Sequence, residues 1–319
     1  MTALGEFELI AKYFADGEAG RGDVVLGVGD DAALLRAPPD RELVVCADTI
    51  VSGVHFPPDT APHAVGHRAL AVNLSDLAAM GAEPAWFTLA LTLPRSDEAW
   101  VQEFAAGLLT LAREYRVALV GGDTTSGPLS ATVQAMGFSA PGAALRRSGA
   151  RAGDAIFVSG APGEAAAGLA LLRRSLAPTA DRGALVERFL YPSPRVALGQ
   201  ALVGVASAAI DVSDGTLADL GKVLEASGVG ACVDPEALLV SPALRRMEDR
   251  NAAIRWATSG GDDYELCFTV PEAKVRAVRE LESRLGLPLT RVGSVEEQRG
   301  LRSTDGAPLA AAGFDHFTA

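Results

Sequence analysis

Aspartate recurs in this chain where apolar runs break, and that repetition limits the possible folds more than any other feature. Leu26-Gly27-Val28-Gly29-Asp30-Asp31-Ala32-Ala33 joins a strand-like run to a glycine turn and two adjacent carboxylates. Val45-Cys46-Ala47-Asp48-Thr49, Asn73-Leu74-Ser75-Asp76, Val120-Gly121-Gly122-Asp123-Thr124-Thr125, Ile210-Asp211-Val212-Ser213-Asp214-Gly215 and Ser259-Gly260-Gly261-Asp262-Asp263 repeat the device. One such cluster carries no message, because Asp and Gly supply caps and turns everywhere. Recurrence does, since turn chemistry alone is equally served by Asn, Ser or Pro. Oxygen-rich clusters suit hard cations such as Mg²⁺, and we read them as parts of one site.

The runs between these clusters alternate in period. Phe7, Leu9, Ile10, Tyr13 and Phe14 mark an opening amphipathic helix over residues 5–15. Strands are expected at 24–27 and 42–47, with Asp48 at the carboxyl end of the second, then an almost wholly apolar helix at 64–80 carrying Asn73 and Asp76 on one face. A strand at 86–93 and a helix at 97–115 capped by Ser96 follow, then strands at 118–121 and 129–139 around a loop at 121–125. Residues 140–153 change character, with Pro141, three glycines and Arg146-Arg147, and a domain boundary is expected there, giving domains 1–145 and 146–319. The second half alternates again: strands at 155–159, 208–212, 230–233, 264–270 and 291–295, and helices at 164–176, around Leu185 and Val196, at 216–226 and at 272–285. Two α/β or α+β domains follow.

Charge narrows the function. A formal net charge of −12 argues against nucleic acid or an anionic membrane as partner, and an anionic substrate would need metal ions to enter. Cys46, Cys232 and Cys267 are odd in number and lie in apolar runs, as buried thiols of a reducing compartment do. Residues 1–10 lack the basic and apolar segments of a signal peptide, no apolar stretch approaches the ~20 residues of a membrane helix, and a cytoplasmic protein is expected. Lys12, Lys222 and Lys274 are the only lysines, and none falls within an aspartate cluster, so the expected chemistry uses no lysine amine.

Several motifs have competing readings. Gly27-Val28-Gly29-Asp30-Asp31-Ala32 formally fits a dinucleotide fingerprint, but its two aspartates would face the pyrophosphate and Pro38-Pro39 arrives too soon for a crossover helix. Gly221-Lys222 lacks the spacing of a P-loop. His63 and His67 have zinc-ligand spacing without a third ligand, which favours an exposed helix face. His55 is equally a surface loop residue or a substrate contact. Gly160-Ala161-Pro162-Gly163 before a helix can cradle an anion or simply turn the chain. Arg146-Arg147 is a solvated linker pair or a phosphate clamp.

Taken together, the motifs resemble one family. Gly29-Asp30-Asp31-Ala32, Asp48-Thr49 with Gly53-Val54-His55-Phe56, the block Ala71 to Gly81, Gly121-Gly122-Asp123-Thr124, Asp211-Val212-Ser213-Asp214-Gly215, Gly261-Asp262-Asp263-Tyr264-Glu265-Leu266 and Gly313-Phe314-Asp315-His316-Phe317 are similar, in order, to bacterial thiamine-monophosphate kinases. The wider superfamily holds aminoimidazole ribonucleotide synthetase, selenophosphate synthetase and a hydrogenase maturation factor, all ATP users without a P-loop. The resemblance implies an N-terminal mixed-sheet domain that pairs with its twofold mate in a homodimer, a C-terminal α/β sandwich, and ATP held between them by several Mg²⁺ ions. It implies metal ligation by Asp31, Asp48, Asp76, Asp123, Asp211 and Asp214, ATP contacts from Tyr115, Gly122, Arg147 and Ser213, and thiamine monophosphate contacts from His55, Asp262 and Phe314. The chain departs from the family pattern at Cys46-Ala47, where hydroxyl residues are usual, and at Asp262, where Glu is common.

The implied reaction needs no catalytic group beyond those that position metal and substrate. A phosphate monoester is largely ionised near neutral pH and needs no general base, while Mg²⁺ would relieve the repulsion between two anions. Direct transfer of the γ-phosphoryl group is expected. A superfamily relative acting on another substrate, or a non-catalytic nucleotide-binding protein, are the alternatives.

Overall fold

The computed structural model describes residues 4–15, 20–174, 179–314 and 317. The chain forms two compact units, one of residues 1–77 and 82–142, the other of residues 78–81 and 143–319. Among the described residues no helix is long and apolar enough to cross a membrane.

In the first unit, helix α1 (Glu6–Tyr13) precedes a small antiparallel hairpin of β1 (Val24–Leu26) and β2 (Leu34–Leu35). No helix follows β1, which excludes the dinucleotide arrangement. Strand β3 (Glu42–Val51), helix α2 (Pro62–Ala79), strand β4 (Glu83–Leu93), helix α3 (Glu98–Glu114) and strands β5 (Ala118–Ser126) and β6 (Ser130–Ser139) build the rest. The sheet order is β3-β6-β4-β5, with β4 and β5 parallel and the other pairs antiparallel. A parallel pair needs a long crossover, and α3 supplies it. Leu89, Leu91, Val133 and Ala135 make one face of this sheet apolar and buried.

Two boundaries differ from expectation where the site is concerned. β3 does not stop before Asp48, and β5 does not stop at Gly121. A strand continues as long as a partner offers hydrogen bonds: β6 pairs with β3 from Glu42 to Val51, and β4 pairs with β5 as far as Ser126. Asp48 and Asp123 are thus mid-strand, not in loops. Similarly, Asp97 and not Ser96 caps α3, accepting from Trp100 N–H at 3.2 Å, while Ser96 Oγ donates to the Leu4 carbonyl.

Helices α2 and α3 meet through glycine. A Cβ on Gly66 would lie 2.0 Å from the Phe104 carbonyl oxygen, and one on Gly107 would lie 2.0 Å from that of His63. The backbones therefore approach where side chains would ordinarily hold helices ~8–10 Å apart. His63 and His67 are half-buried, not on an exposed face.

The second unit contains β7 (Ala155–Ser159), α4 (Glu164–Arg174), α5 (Ala180–Leu190), α6 (Val196–Leu202), β8 (Ala208–Val212), α7 (Thr216–Ser227), β9 (Gly230–Val233), α8 (Pro242–Met247), α9 (Arg250–Ser259), β10 (Glu265–Val270), α10 (Val275–Leu285), β11 (Leu289–Glu296) and β12 (Gly300–Ser303). Its sheet order is β12-β9-β11-β7-β10-β8, antiparallel except for β12 with β9. Ile156, Val158, Ile210 and Val212 pack with Leu217, Leu220, Val223 and Leu224 in one core cluster. Phe157 stacks on Phe268 with centroids 5.7 Å apart, and the Arg279 guanidinium of α10 lies over the Phe157 ring. Alternate residues of β7 thus meet different partners, and every residue of β7, β8 and β10 is buried.

Candidate active site

In the first unit, β3 and α2 bring together the Asp48 and Asn73-Asp76 motifs. Asn73 sits fully buried in α2, where an amide needs partners. Its Nδ2 donates to the Ala69 carbonyl and its Oδ1 accepts from Asp48 N–H at 3.0 Å. Cys46, two residues before Asp48 and hence on the same face of β3, donates from Sγ to the Asn73 carbonyl. Burial pushes the Cys46 thiol well above its ordinary pKa, and the Asp76 and Asp48 charges push it further. A half-buried Asp76 and an exposed Asp48 therefore share one negatively charged corner.

Asp123 is exposed on β5. Register places it in the row of Ala90, Thr132 and Thr49, while Asp48 falls in the neighbouring row with Val133, Leu89 and Gly122. Successive rows present side chains to opposite faces of a pleated sheet, so the sheet does not set Asp48 and Asp123 side by side. Gly122 is required where it is, because a Cβ there would lie 1.8 Å from the Leu89 carbonyl oxygen. Asp31 is exposed in the turn between β1 and β2, its N–H bonded to Asp30 Oδ1 at 2.8 Å. Tyr115 is half-buried at the C-cap of α3. His55 is half-buried in the turn after β3 and accepts from Val51 N–H through Nδ1 at 3.0 Å. A neutral imidazole accepting at Nδ1 carries its proton on Nε2 and presents a donor there.

In the second unit, the turn from β8 to α7 is built around a residue that the motif reading passed over. Asp219 is fully buried in the first turn of α7, and its Oδ2 accepts from the N–H groups of Ser213, Asp214 and Gly215 at 2.9–3.2 Å. Burial raises the Asp219 pKa, with Lys222 and the Asp214 N–H opposing the shift. Lys222, one turn later, reaches Asp214 Oδ2 at 2.6 Å and Asp219 Oδ1 at 2.8 Å. Lys222 lies outside the aspartate motifs in sequence, and the fold brings its amine to Asp214 and Asp219. Helical spacing of 3 residues puts Lys222 beside Asp219, and the turn brings Asp214 to both. Burial opposes the Lys222 charge, but Asp214 and Asp219 outweigh it and raise its pKa.

Asp211 is buried within β8, opposite Leu266 of β10. Ser213 accepts Asp262 N–H at its carbonyl, 2.8 Å away, which ties the Gly261-Asp262 turn to the Asp211–Gly215 turn. Asp262 and Tyr264 both have positive φ, at 68° and 53°, and Tyr264 Oη donates to Asp262 Oδ1 at 3.2 Å. Phe314 N–H donates to the Asp214 carbonyl at 3.2 Å, and its ring is 49% exposed. Asp315 and His316 of the same motif lie outside the described residues. Arg147 is exposed, its carbonyl accepting from Ser227 Oγ.

The glycine turn at 160–163 does hold a carboxyl group, but that group belongs to the chain itself. Asp263 is fully buried and accepts Gly163 N–H at 2.6 Å and Ala165 N–H at 3.2 Å at the start of α4. Burial pushes its carboxyl up to about 8, with the two N–H donors opposing. Glu265 beside it is equally buried, paired bidentately with Arg195, bonded to Arg188 at 3.0 Å and accepting Ser159 Oγ at 2.5 Å. Burial works to raise the Glu265 pKa, yet the two guanidinium groups hold it below its ordinary value. These buried groups anchor the strands that carry the site, and the Glu265 charge is matched by Arg188 and Arg195. The sequence signal for Glu265 was a carboxylate at the head of a strand whose only other polar residue is Thr269.

Among the described residues no three His, Cys, Asp or Glu side chains form a group that can hold a metal ion. Mg²⁺ bound with a nucleotide takes one or two carboxylates and completes its octahedron with phosphate oxygens and water. The Asp48 and Asp76 corner and the exposed Asp123 and Asp31 offer hard oxygen donors of that kind, and so does the Asp214 turn.

Residues 29–139 match the family of the AIR synthase related protein, N-terminal domain, and residues 151–306 match its C-terminal domain. The chain is 50% identical over 321 residues to the thiamine-monophosphate kinase of Salmonella typhimurium, covering 99% of each protein. Among solved structures, the thiamine-monophosphate kinase of Stenotrophomonas maltophilia K279a superposes with a TM-score of 0.90 at 48% identity, over 97% of this chain and 99% of that one. AaThiL complexed with AMPPCP and TMP superposes with a TM-score of 0.80 at 32% identity, over 88% of this chain and 89% of that one.

Proposed function

Because this chain belongs to the thiamine-monophosphate kinases of the AIR synthase related family, we propose that it makes thiamine diphosphate by direct, in-line transfer of the ATP γ-phosphoryl group. Its thiamine-monophosphate kinase activity follows from identity of 50% spread over the full length of a relative so named. The manner of transfer follows from which groups are present. A non-bridging oxygen of the acceptor phosphate attacks the γ-phosphorus, the bond to the β–γ bridging oxygen breaks, and ADP leaves with the electron pair. No proton must be removed from the attacking oxygen, which is already an anion.

The ATP analogue and TMP in the relative's complex support ATP and thiamine monophosphate as ligands here. We assign Asp31, Asp48, Asp76 and Asp123 of the first unit, and Asp211 and Asp214 of the second, as carboxylates that hold Mg²⁺. When bound, Mg²⁺ would neutralise phosphate charge and align the transfer. Tyr115, Gly122, Arg147 and Ser213 are assigned to ATP, and His55, Asp262 and Phe314 to the acceptor. His55 binds and does not act as base, because its Nδ1 already accepts Val51 N–H. The Tyr264 hydroxyl holds Asp262 in its positive-φ turn.

With purified protein and Mg-ATP, thiamine monophosphate is consumed and unphosphorylated thiamine is not, because an alcohol would need a base that the site lacks. His55→Ala raises the apparent KM for the monophosphate and leaves kcat nearly unchanged. Asp48→Asn or Asp123→Asn abolishes ADP formation with the circular dichroism spectrum intact. Equal turnover of thiamine, or a wild-type rate in either aspartate variant at saturating Mg²⁺, would overturn the corresponding assignment.

A further inference from the structure

We propose that Lys222 is a resident counter-ion of Asp214 that sets how tightly the Asp211–Gly215 turn takes a divalent cation. The inference rests on the reading of Asp214 as a metal-binding carboxylate. Asp211, Asp214 and Asp219 bring three carboxylates within nine residues, and the Lys222 ammonium bonds to two of them, Asp214 at 2.6 Å and Asp219 at 2.8 Å. The arrangement is self-fixing. Asp219 spends one oxygen on the three N–H groups that shape the turn and the other on the ammonium. The same side chain thus orders the turn and holds Lys222 against Asp214.

Two consequences follow from charge alone. Without metal, the ammonium relieves repulsion among carboxylates that the turn forces together, and so stabilises the turn before any ligand arrives. With metal, the same ammonium is an obstacle: it occupies Asp214 Oδ2, so a cation must displace it or bind through Oδ1 beside a like charge. Lysine is suited to this role, since its compact charge sits on a flexible stem and Lys222 is half-exposed, with room to move toward solvent. It acts on metal affinity through Asp214 and is a positioning residue, with no contact to reacting atoms.

The test uses the full chain with AMPPCP present, and reads Mn²⁺ binding from the electron paramagnetic resonance of free Mn²⁺, together with thermal melting. Lys222→Gln should bind Mn²⁺ about tenfold more tightly than wild type, the scale of repulsion between a dication and a monocation ~5 Å apart at water-like screening. Its metal-free melting temperature should fall, and its rise on adding Mn²⁺ should exceed that of wild type. Lys222→Arg, which keeps the charge, should behave as wild type, and Lys222→Met keeps the stem should the amide variant fail to fold. In an Asp214→Asn background the Lys222→Gln gain should vanish. The proposal is overturned if Lys222→Gln and Lys222→Met bind Mn²⁺ no more tightly than wild type, or if Lys222→Arg tightens binding equally. If Asp214→Asn alone leaves Mn²⁺ binding unchanged, the metal assignment of Asp214 fails and the counter-ion role fails with it, while the kinase reading is judged separately by acceptor turnover.

Discussion

Glu265 shows how a single charge can be worth more to this protein than its place in a motif suggests. It is fully buried and meets two guanidinium groups and a hydroxyl. Exposed ion pairs contribute ~0–1 kcal/mol, whereas removing one partner of a buried pair costs ~3–5 kcal/mol, because the other charge stays behind unmatched. Glu265→Gln should therefore lower the unfolding free energy by ~3–5 kcal/mol at pH 7 in urea titration. Its pKa is held below the unfolded value, so its contribution is complete above the unfolded pKa of ~4.3 and is lost as pH falls through the lower folded pKa. The gap between wild type and Glu265→Gln should accordingly shrink as pH drops below ~4, and a gap constant from pH 7 to pH 3 would refute the ion-pair account. Glu265 was visible in the sequence as part of a family motif; its role was not, since Arg188 and Arg195 lie 77 and 70 residues away.

At the scale of elements, the crossing of α2 and α3 decides the sign of a common stabilising substitution. Gly to Ala on an exposed helix gains ~1 kcal/mol from helix propensity. At Gly107 the new methyl would lie 2.0 Å from the His63 carbonyl oxygen, and forcing a packed interface apart costs ~1–3 kcal/mol or more. Gly107→Ala should be net destabilising in thermal melting, whereas Gly183→Ala in α5, where a Cβ meets nothing within 4 Å, should be neutral or stabilising. The elements themselves were largely legible from period and apolar runs: β8 and β9 have the bounds that the sequence indicates. Those missed were α8, α9, β2 and β12, which are short or carry few apolar residues. Their order comes from neighbours already folded, such as Leu301 of β12 joining the core of the second unit.

For the whole molecule, the first unit leaves an apolar surface that needs a cover. The hairpin of β1 and β2 packs Val24, Ala33 and Leu35 against Trp86 and Phe138. Val25, Leu34, Leu43 and Val45 remain 47–57% exposed, and β3, ten residues long, is an edge strand. Long apolar edges invite pairing, and a twofold mate satisfies them by presenting the same surface. We expect a homodimer formed through this unit, sedimenting at about twice 32.9 kDa. Val45→Asp with Leu43→Asp should give a folded monomer, and a wild-type monomer at micromolar concentration would refute the dimer.

What the sequence determined by itself was the alternation of two α/β units, the absence of a P-loop and the recurrence of aspartate where apolar runs break, because periodicity and residue type are local properties. Tertiary structure alone decided which of those aspartates are buried in the service of the fold. Asp219 and Asp263 look, in sequence, like their neighbours Asp214 and Asp262, yet each is buried against backbone N–H groups and committed to shaping a turn. The difference is desolvation: a carboxylate taken out of water must find donors inside the protein, and those donors are fixed only when the chain has closed around it.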